Sequence, residues 1–527
     1  MIDIFIKTVS QKSSLQKAFA TFLLPTVAYN KKKIFILFLL FFSTNFVYSI
    51  LLPIKKTIIL YTPGAGAESM AYLKPFFITP GAFLLTGFFL SLSMLFTRAF
   101  VFYTIVSLFT AYFALYSFLL NPFQEIFALN AAADFLMAIL PQSFQAAPAL
   151  IRYWMHTLFY TSADLWGTTV VSLLVWGLAN DISTHDEAKF TYPLFTIAIG
   201  TSGILAGKLS GYFSKIPYNP DWPIGATQWD QCFLRIMLAV LVFCFITLTT
   251  YRMLLLNQFH QHHMSPLAEK EVIACKSHQK KQHSLRECLT LVFRSKNLLY
   301  ITVVVLSYNI VYTLSDFIFL KRVGLAFSVD HQGDSNAFLS DVAMYTSITA
   351  TIFSLFVNNL SLRYAGWTAT ALITPMTFIL TGSLFYFAQI EVIAHSQLFA
   401  GIDALNLSLY AGVLHITLLR GTRYSVFDTT KEMAYIGLTA AERLNGKAVI
   451  DGIVSRFGRS GGSVILFVLF AVAGNSLIAT IPYVFFIVLF LTILWFRAVL
   501  LLSRTYHFSL QRHVHKNIDM KEESVAI

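Results

Sequence analysis

Charge is scarce in this sequence: Asp, Glu, Lys and Arg make up 12% of its 527 residues, against about 25% in soluble globular chains. That scarcity excludes a chain solvated on all sides, because 56% of the residues are hydrophobic, 51 of them Phe, and one water-exposed core could not hide that much apolar surface. Cysteine is also sparse. Cys232, Cys244, Cys275 and Cys288 show no CxxC spacing, so neither a disulfide framework nor a zinc site is implied. No GxxxxGK[ST] run and no His/Asp cluster within an apolar stretch is found, so nothing points to a phosphate loop, a metal or a cofactor.

Long apolar runs are what the sequence has. About twelve reach the roughly 20 residues a helix needs to cross a bilayer. They lie near 34 to 52, 76 to 96, 99 to 120, 157 to 180, 191 to 213, 232 to 256, 299 to 320, 342 to 362, 367 to 388, 398 to 419, 448 to 474 and 478 to 503. Unpaired backbone amides cost several kcal/mol in hydrocarbon, and these runs are too long and too continuously apolar for barrel strands. The expected fold is an all-α polytopic membrane protein. The first run is expected to be a retained span, since no small-residue cleavage pattern follows it.

Basic loops stay in the cytoplasm. Lys7, Lys12, Lys17 and Lys31 to Lys33 precede the first run, and Lys270, Lys276, Lys280, Lys281, Arg286 and Arg294 crowd the central loop, so both segments and both termini are expected inside. The net charge of +12 follows from this bias and does not call for nucleic acid. The predicted organisation is a cytoplasmic segment 1–33, a six-helix half 34–256, a linker 257–297, a second six-helix half 298–503 and a cytoplasmic tail 504–527. Two six-helix halves are the layout of a major-facilitator-like carrier with a site at the bilayer midplane. A faint repeat agrees: Asn45-Phe-Val-Tyr48-Ser49 resembles Asn309-Ile-Val-Tyr312-Thr313, each followed by a basic pair, Lys55-Lys56 and Lys321-Arg322.

Ionisable residues inside spans mark function by default. Asp164 in the fourth run and Asp316 in the seventh are the coupling or gating candidates: they either alternate between inter-half ion pairs, take up a proton, or simply bridge helices. Lys74, Arg420, Arg423, Lys447, Arg456 and Arg459 are cations suited to phosphate, each also explicable by snorkelling to headgroups. Within Arg456-Phe-Gly-Arg459-Ser-Gly-Gly462, glycines would let backbone approach a ligand. Tyr160, Trp166 and Tyr308 are candidates for stacking on a base, core packing being the ordinary alternative. Gly203, Gly207 and Gly211 form a small-xxx-small face for helix packing.

In these residues the chain resembles the ADP/ATP translocases of obligate intracellular bacteria and plastids. The blocks that carry the resemblance are Pro63-Gly-Ala-Gly-Ala-Glu68 with Leu73-Lys74, Ala163-Asp-Leu-Trp-Gly167, Trp176-Gly-Leu-Ala-Asn180, Asp186-Glu-Ala-Lys189, Tyr192-Pro-Leu-Phe195, Arg423-Tyr-Ser-Val-Phe-Asp428 and Gly458-Arg-Ser-Gly-Gly462. The resemblance implies a nucleotide carrier of the bacterial inner membrane that exchanges ATP for ADP, with Lys74, Asp164, Asp316 and Arg423 as its charged positions. Some members are instead proton-coupled net importers of nucleotides such as GTP, UTP, CTP or NAD. Typical members have Glu where Asp164 and Asp316 stand, and Lys where Arg423 and Arg459 stand. An integral membrane enzyme is the rival from another class, and it would gather polar groups at one membrane face. The expected working unit is a monomer.

Overall fold

A computed structural model describes residues 31–141, 144, 146–183, 185–222, 224–262, 285–389, 403–435, 438, 440–473 and 477–525. The basic segment expected before residue 31, most of the central linker and the last two residues of the tail lie outside them. The described residues are almost all helical, joined by short turns, without strands. Eleven helices are long and apolar enough to cross a membrane. They are α1 (Lys31–Tyr61), α2 (Ala67–Leu95), α3 (Arg98–Leu120), α4 (Trp154–Ile182), α5 (Thr191–Ser214), α6 (Gln228–Asn257), α7 (Lys296–Ala326), α8 (Val329–Tyr364), α9 (Gly366–Phe387), α11 (Val449–Val472) and α12 (Thr480–Arg504). The run expected at 398 to 419 is a helix too, α10 (Ala404–Thr422), but Asn406, His415 and Arg420 leave it less apolar than the rest. The chain is a multi-pass membrane protein. Its outer surface fits that reading, since Leu84, Met94, Leu95, Phe486 and Phe490 stand exposed on α2 and α12, where lipid rather than water would cover them.

The buried apolar residues fall into two clusters. One is drawn wholly from α1 to α6 and their connections. The other is built on α7 to α12 and reaches across at one end of the bundle only, to Ile59, Ala67, Met70, Tyr72, Leu73, Ala146, Leu150 and Tyr160. α1 is the axis of the first set, packing on α4, α5 and α6, and α7 is the axis of the second, packing on α10, α11 and α12.

The two sets meet most extensively along α5 and α8, where glycine decides the separation. A Cβ on Gly207 would lie 2.8 Å from the Ser340 carbonyl oxygen and from Met344 Cβ, contacts no rotamer change in the partner can relieve. Small residues that bring backbones together are the usual means of holding helices in lipid. Gly207→Leu should therefore force α5 off α8. We expect loss of the monodisperse peak in detergent size-exclusion chromatography, an effect above the 1–3 kcal/mol typical of overpacking because backbone is in the way.

Several spans contain wide π turns, at Leu73–Ile78, Gly167–Val175, Arg423–Phe427 and Ala448–Val454. Pro75 accounts for the first: it has no N–H to donate and its ring crowds the preceding turn. Such turns cluster at functional sites. Here one holds Lys74, one follows Asp164 by a turn, and one begins at Arg423.

Candidate functional site

Between the two sets of helices lies a cavity enclosing about 890 Å³ not occupied by protein atoms, its open mouth included. Each charge at its wall is placed by helical periodicity. Tyr48, Leu52, Lys55 and Lys56 form a stripe at steps of three and four along α1, and Tyr308, Tyr312 and Asp316 form another along α7. The faint repeat thus marks two facing helices, with Tyr48 and Tyr312 both at the cavity.

Asp164 accepts a hydrogen bond from Lys55 Nζ at 2.5 Å, and Asp316 accepts one from Lys56 Nζ at 2.6 Å. The second pair joins α1 to α7 and is nearly buried, with the side chains 10% and 6% exposed. Lys74 reaches Thr313 Oγ1 at 3.1 Å. Arg420 stands 5.9 Å from the Tyr312 ring centre, Arg423 stands 4.9 Å from that of Tyr308, and Arg456 stands 5.4 Å from that of Phe83. Arg459 lines the cavity beside them. None of these last five cations, Lys74 included, is ion-paired among the described residues, and Arg423 Nε has no hydrogen-bond partner. Seven cations therefore face two carboxylates at this wall, an excess of five.

The cavity is shut at one end and open at the other. At the shut end Lys56 pairs with Asp316 and Lys321 with Glu68, Tyr61 Oη donates to the Phe327 carbonyl at 3.1 Å, and Asn336 Nδ2 donates to Ser214 Oγ at 2.8 Å. Each contact links the first set of helices to the second. Toward the opposite end a second space of about 1050 Å³, solvent opening included, shares Tyr48, Leu52, Arg420 and Tyr424 with the first and runs between α5 and α8.

Of the residues singled out from the sequence, Lys74, Tyr160, Asp164, Tyr308, Asp316, Arg420, Arg423, Arg456 and Arg459 line this cavity. Two do not. Lys447 is half exposed and pairs with Glu432 at 2.5 Å. Trp166 is fully buried and donates Nε1–H to the Thr44 carbonyl at 3.0 Å, which ties α4 to α1. The glycines beside Arg459 also have a different task. A Cβ on Gly458 would meet Asn309 Cβ at 2.8 Å, and one on Gly462 would meet Thr313 Cβ at 2.8 Å, so they seat α11 on α7 instead of admitting a ligand. Sequence reasoning passed over Lys55, Lys56, Tyr48, Tyr312 and Tyr424 as site residues. The repeat that pairs Tyr48 with Tyr312 and is followed by Lys55-Lys56 was the signal for four of them.

A family model described as TLC ATP/ADP transporter matches residues 9–506 of the chain. The chain is similar to ADP,ATP carrier protein 1 of Chlamydia trachomatis serovar D, at 30% identity over 92% of this chain and 91% of that one. It is similar also to ADP,ATP carrier protein 2, chloroplastic, of Arabidopsis thaliana, at 31% identity over 89% of this chain and 73% of that one. Among solved structures, a bacterial homologue of the iron transporter ferroportin in its inward-facing state superposes with a TM-score of 0.50 at 15% identity, covering 91% and 98% of the two chains. That likeness concerns the fold alone.

Proposed function

The chain belongs to the TLC ATP/ADP transporter family, and from that premise we propose that it is a transporter, not an enzyme, which exchanges ATP for ADP by alternating access. The observation that carries the reading is the excess of five cations at the wall of a cavity closed at one end. Guanidinium and ammonium groups gathered without enough carboxylates fit a multiply charged anion, and arginines clamp phosphate oxygens in pairs. The tyrosines beside them offer flat faces and hydroxyls to a base and ribose.

The same excess explains exchange. To cross between its two open states the carrier has to pass through a closed one, in which unpaired cations lose their water. A buried charge without a partner costs several kcal/mol, so the empty carrier is held back and the loaded one is not. Asp164 and Asp316 are held by ammonium groups, which favours gating ion pairs over proton uptake and release. By the distribution of Lys and Arg the open end and both termini face the cytoplasm, in the inner membrane of a bacterium. One chain carries the whole cavity, so a monomer suffices.

Proteoliposomes supply the test. Labelled ATP should enter vesicles preloaded with ADP, should not enter empty ones, and should be indifferent to collapse of a proton gradient. Uptake into empty vesicles that vanishes with the gradient would instead establish proton-coupled net import.

A further inference from the structure

Apart from the central cavity, α2, α3, α4 and α6 enclose a pocket of about 670 Å³, open volume included, on the flank of the first helical set. Its depth is apolar, formed by Phe89, Val101, Phe102, Leu174 and Leu178. Its mouth is charged. Arg98 lines it and pairs with Asp181 just outside the lining, with side chains 49% and 56% exposed. Both stand at span ends, Arg98 at the first residue of α3 and Asp181 next to the last of α4, which is the depth of lipid headgroups. The turn between α2 and α3 holds Arg98 in place, since Thr97 Oγ1 accepts from the Phe100 amide and caps the helix. Phe96 and Leu173, both on the pocket wall, are open to the surroundings, so the pocket communicates with the acyl region of the bilayer.

We propose that this pocket is a binding site for an aminophospholipid, one acyl chain filling the apolar depth, the phosphate diester on Arg98 and the primary ammonium on Asp181. An adjacent base and acid, each half exposed, match the two charges of a phosphoethanolamine headgroup. The guanidinium has five N–H donors, of which the pairing with Asp181 uses only part, leaving others for phosphate oxygens. The Asp181 carboxylate has acceptor sites for the N–H groups of a primary ammonium, which a choline headgroup lacks and a glycerol headgroup replaces with neutral hydroxyls. Because the pair is solvated, opening it to admit a headgroup costs little. The proposal is independent of the nucleotide cavity, with which the pocket shares no lining residue.

Native mass spectrometry of the detergent-purified full chain, titrated with phosphatidylethanolamine, phosphatidylcholine or phosphatidylglycerol of one acyl composition, tests it. The ethanolamine lipid should bind about tenfold more tightly than the other two, equivalent to roughly 1.4 kcal/mol. Asp181→Asn should remove that preference over phosphatidylglycerol, Arg98→Gln should weaken all three alike, and Leu174→Trp should remove the tightly held lipid by filling the pocket. Each variant should elute as the parent does, and the two polar ones leave the apolar wall intact should Leu174→Trp fail to fold. Equal affinities for ethanolamine and choline lipids, or a preference that survives Asp181→Asn, would overturn the assignment.

Discussion

Asp316→Asn should cut ATP/ADP exchange by about a hundredfold or more without expelling the protein from the membrane. The carboxylate meets Lys56 at 2.6 Å across the joint between α1 and α7, with both side chains nearly buried. Removing one partner of such a pair leaves the other's charge stranded, at about 3–5 kcal/mol, and each 1.36 kcal/mol on a barrier is roughly tenfold in rate. The loss should fall on kcat, since the shut end can no longer re-form against a bare ammonium group. KM for ATP should not rise, because the liberated Lys56 is one more cation for phosphate. A paired change separates folding from transport: Lys56→Met with Asp316→Leu removes both charges, and the thermal midpoint should recover toward the parent while exchange stays lost. Near-normal exchange by Asp316→Asn would take the pair out of the transport cycle.

Lys74→Gln should act in the opposite sense, on binding more than on turnover. Its ammonium group donates to Thr313 Oγ1 at 3.1 Å and has no ion pair among the described residues, so a partly buried positive charge stands without a counterion. On the proposed function, nucleotide phosphate would supply that counterion. We expect KM for ATP to rise about tenfold, the worth of one charge-assisted contact of 1.5 kcal/mol or so, with a smaller rise for ADP and little change for AMP. The substrate-free variant should melt at a higher temperature than the parent, because one repelling cation has gone and a polar side chain of similar length remains. Equal rises for ATP and AMP would show that Lys74 does not touch the terminal phosphates.

The helical plan was legible because lipid imposes a single rule on apolar runs of about 20 residues. α10 departs from it for the reason that makes it interesting: Arg420 and His415 sit where a plain span would have leucine, and Arg420 lines the cavity. Single charges deep in apolar runs, Asp164 and Asp316 above all, stood out for the same energetic reason. Lys55 and Lys56 did not, because they fall past the expected run at 34 to 52 and entered only as the basic pair that follows the repeat, and only the approach of α4 and α7 shows that they turn inward to carboxylates. Lys447 erred in the other direction. It stood among the cations suited to phosphate, yet its partner is the half-exposed Glu432. Trp166 illustrates a third limit: it lies six residues beyond Tyr160 and so on another face of α4, where its ring hydrogen-bonds the neighbouring helix instead of lining the cavity.

The greasy seam at the shut end has a kinetic corollary. Ile59, Met70, Tyr72 and Leu73 bridge the two bundles there, and parting them would wet that surface at about 25 cal/mol for every Å². A vacant molecule thus waits with its vestibule turned to a single compartment, so each turnover begins by sampling the nucleotides of that compartment. Which species it releases on the far side then depends on the ADP-to-ATP ratio of the near one, weighted by how much more strongly the cations hold the triphosphate.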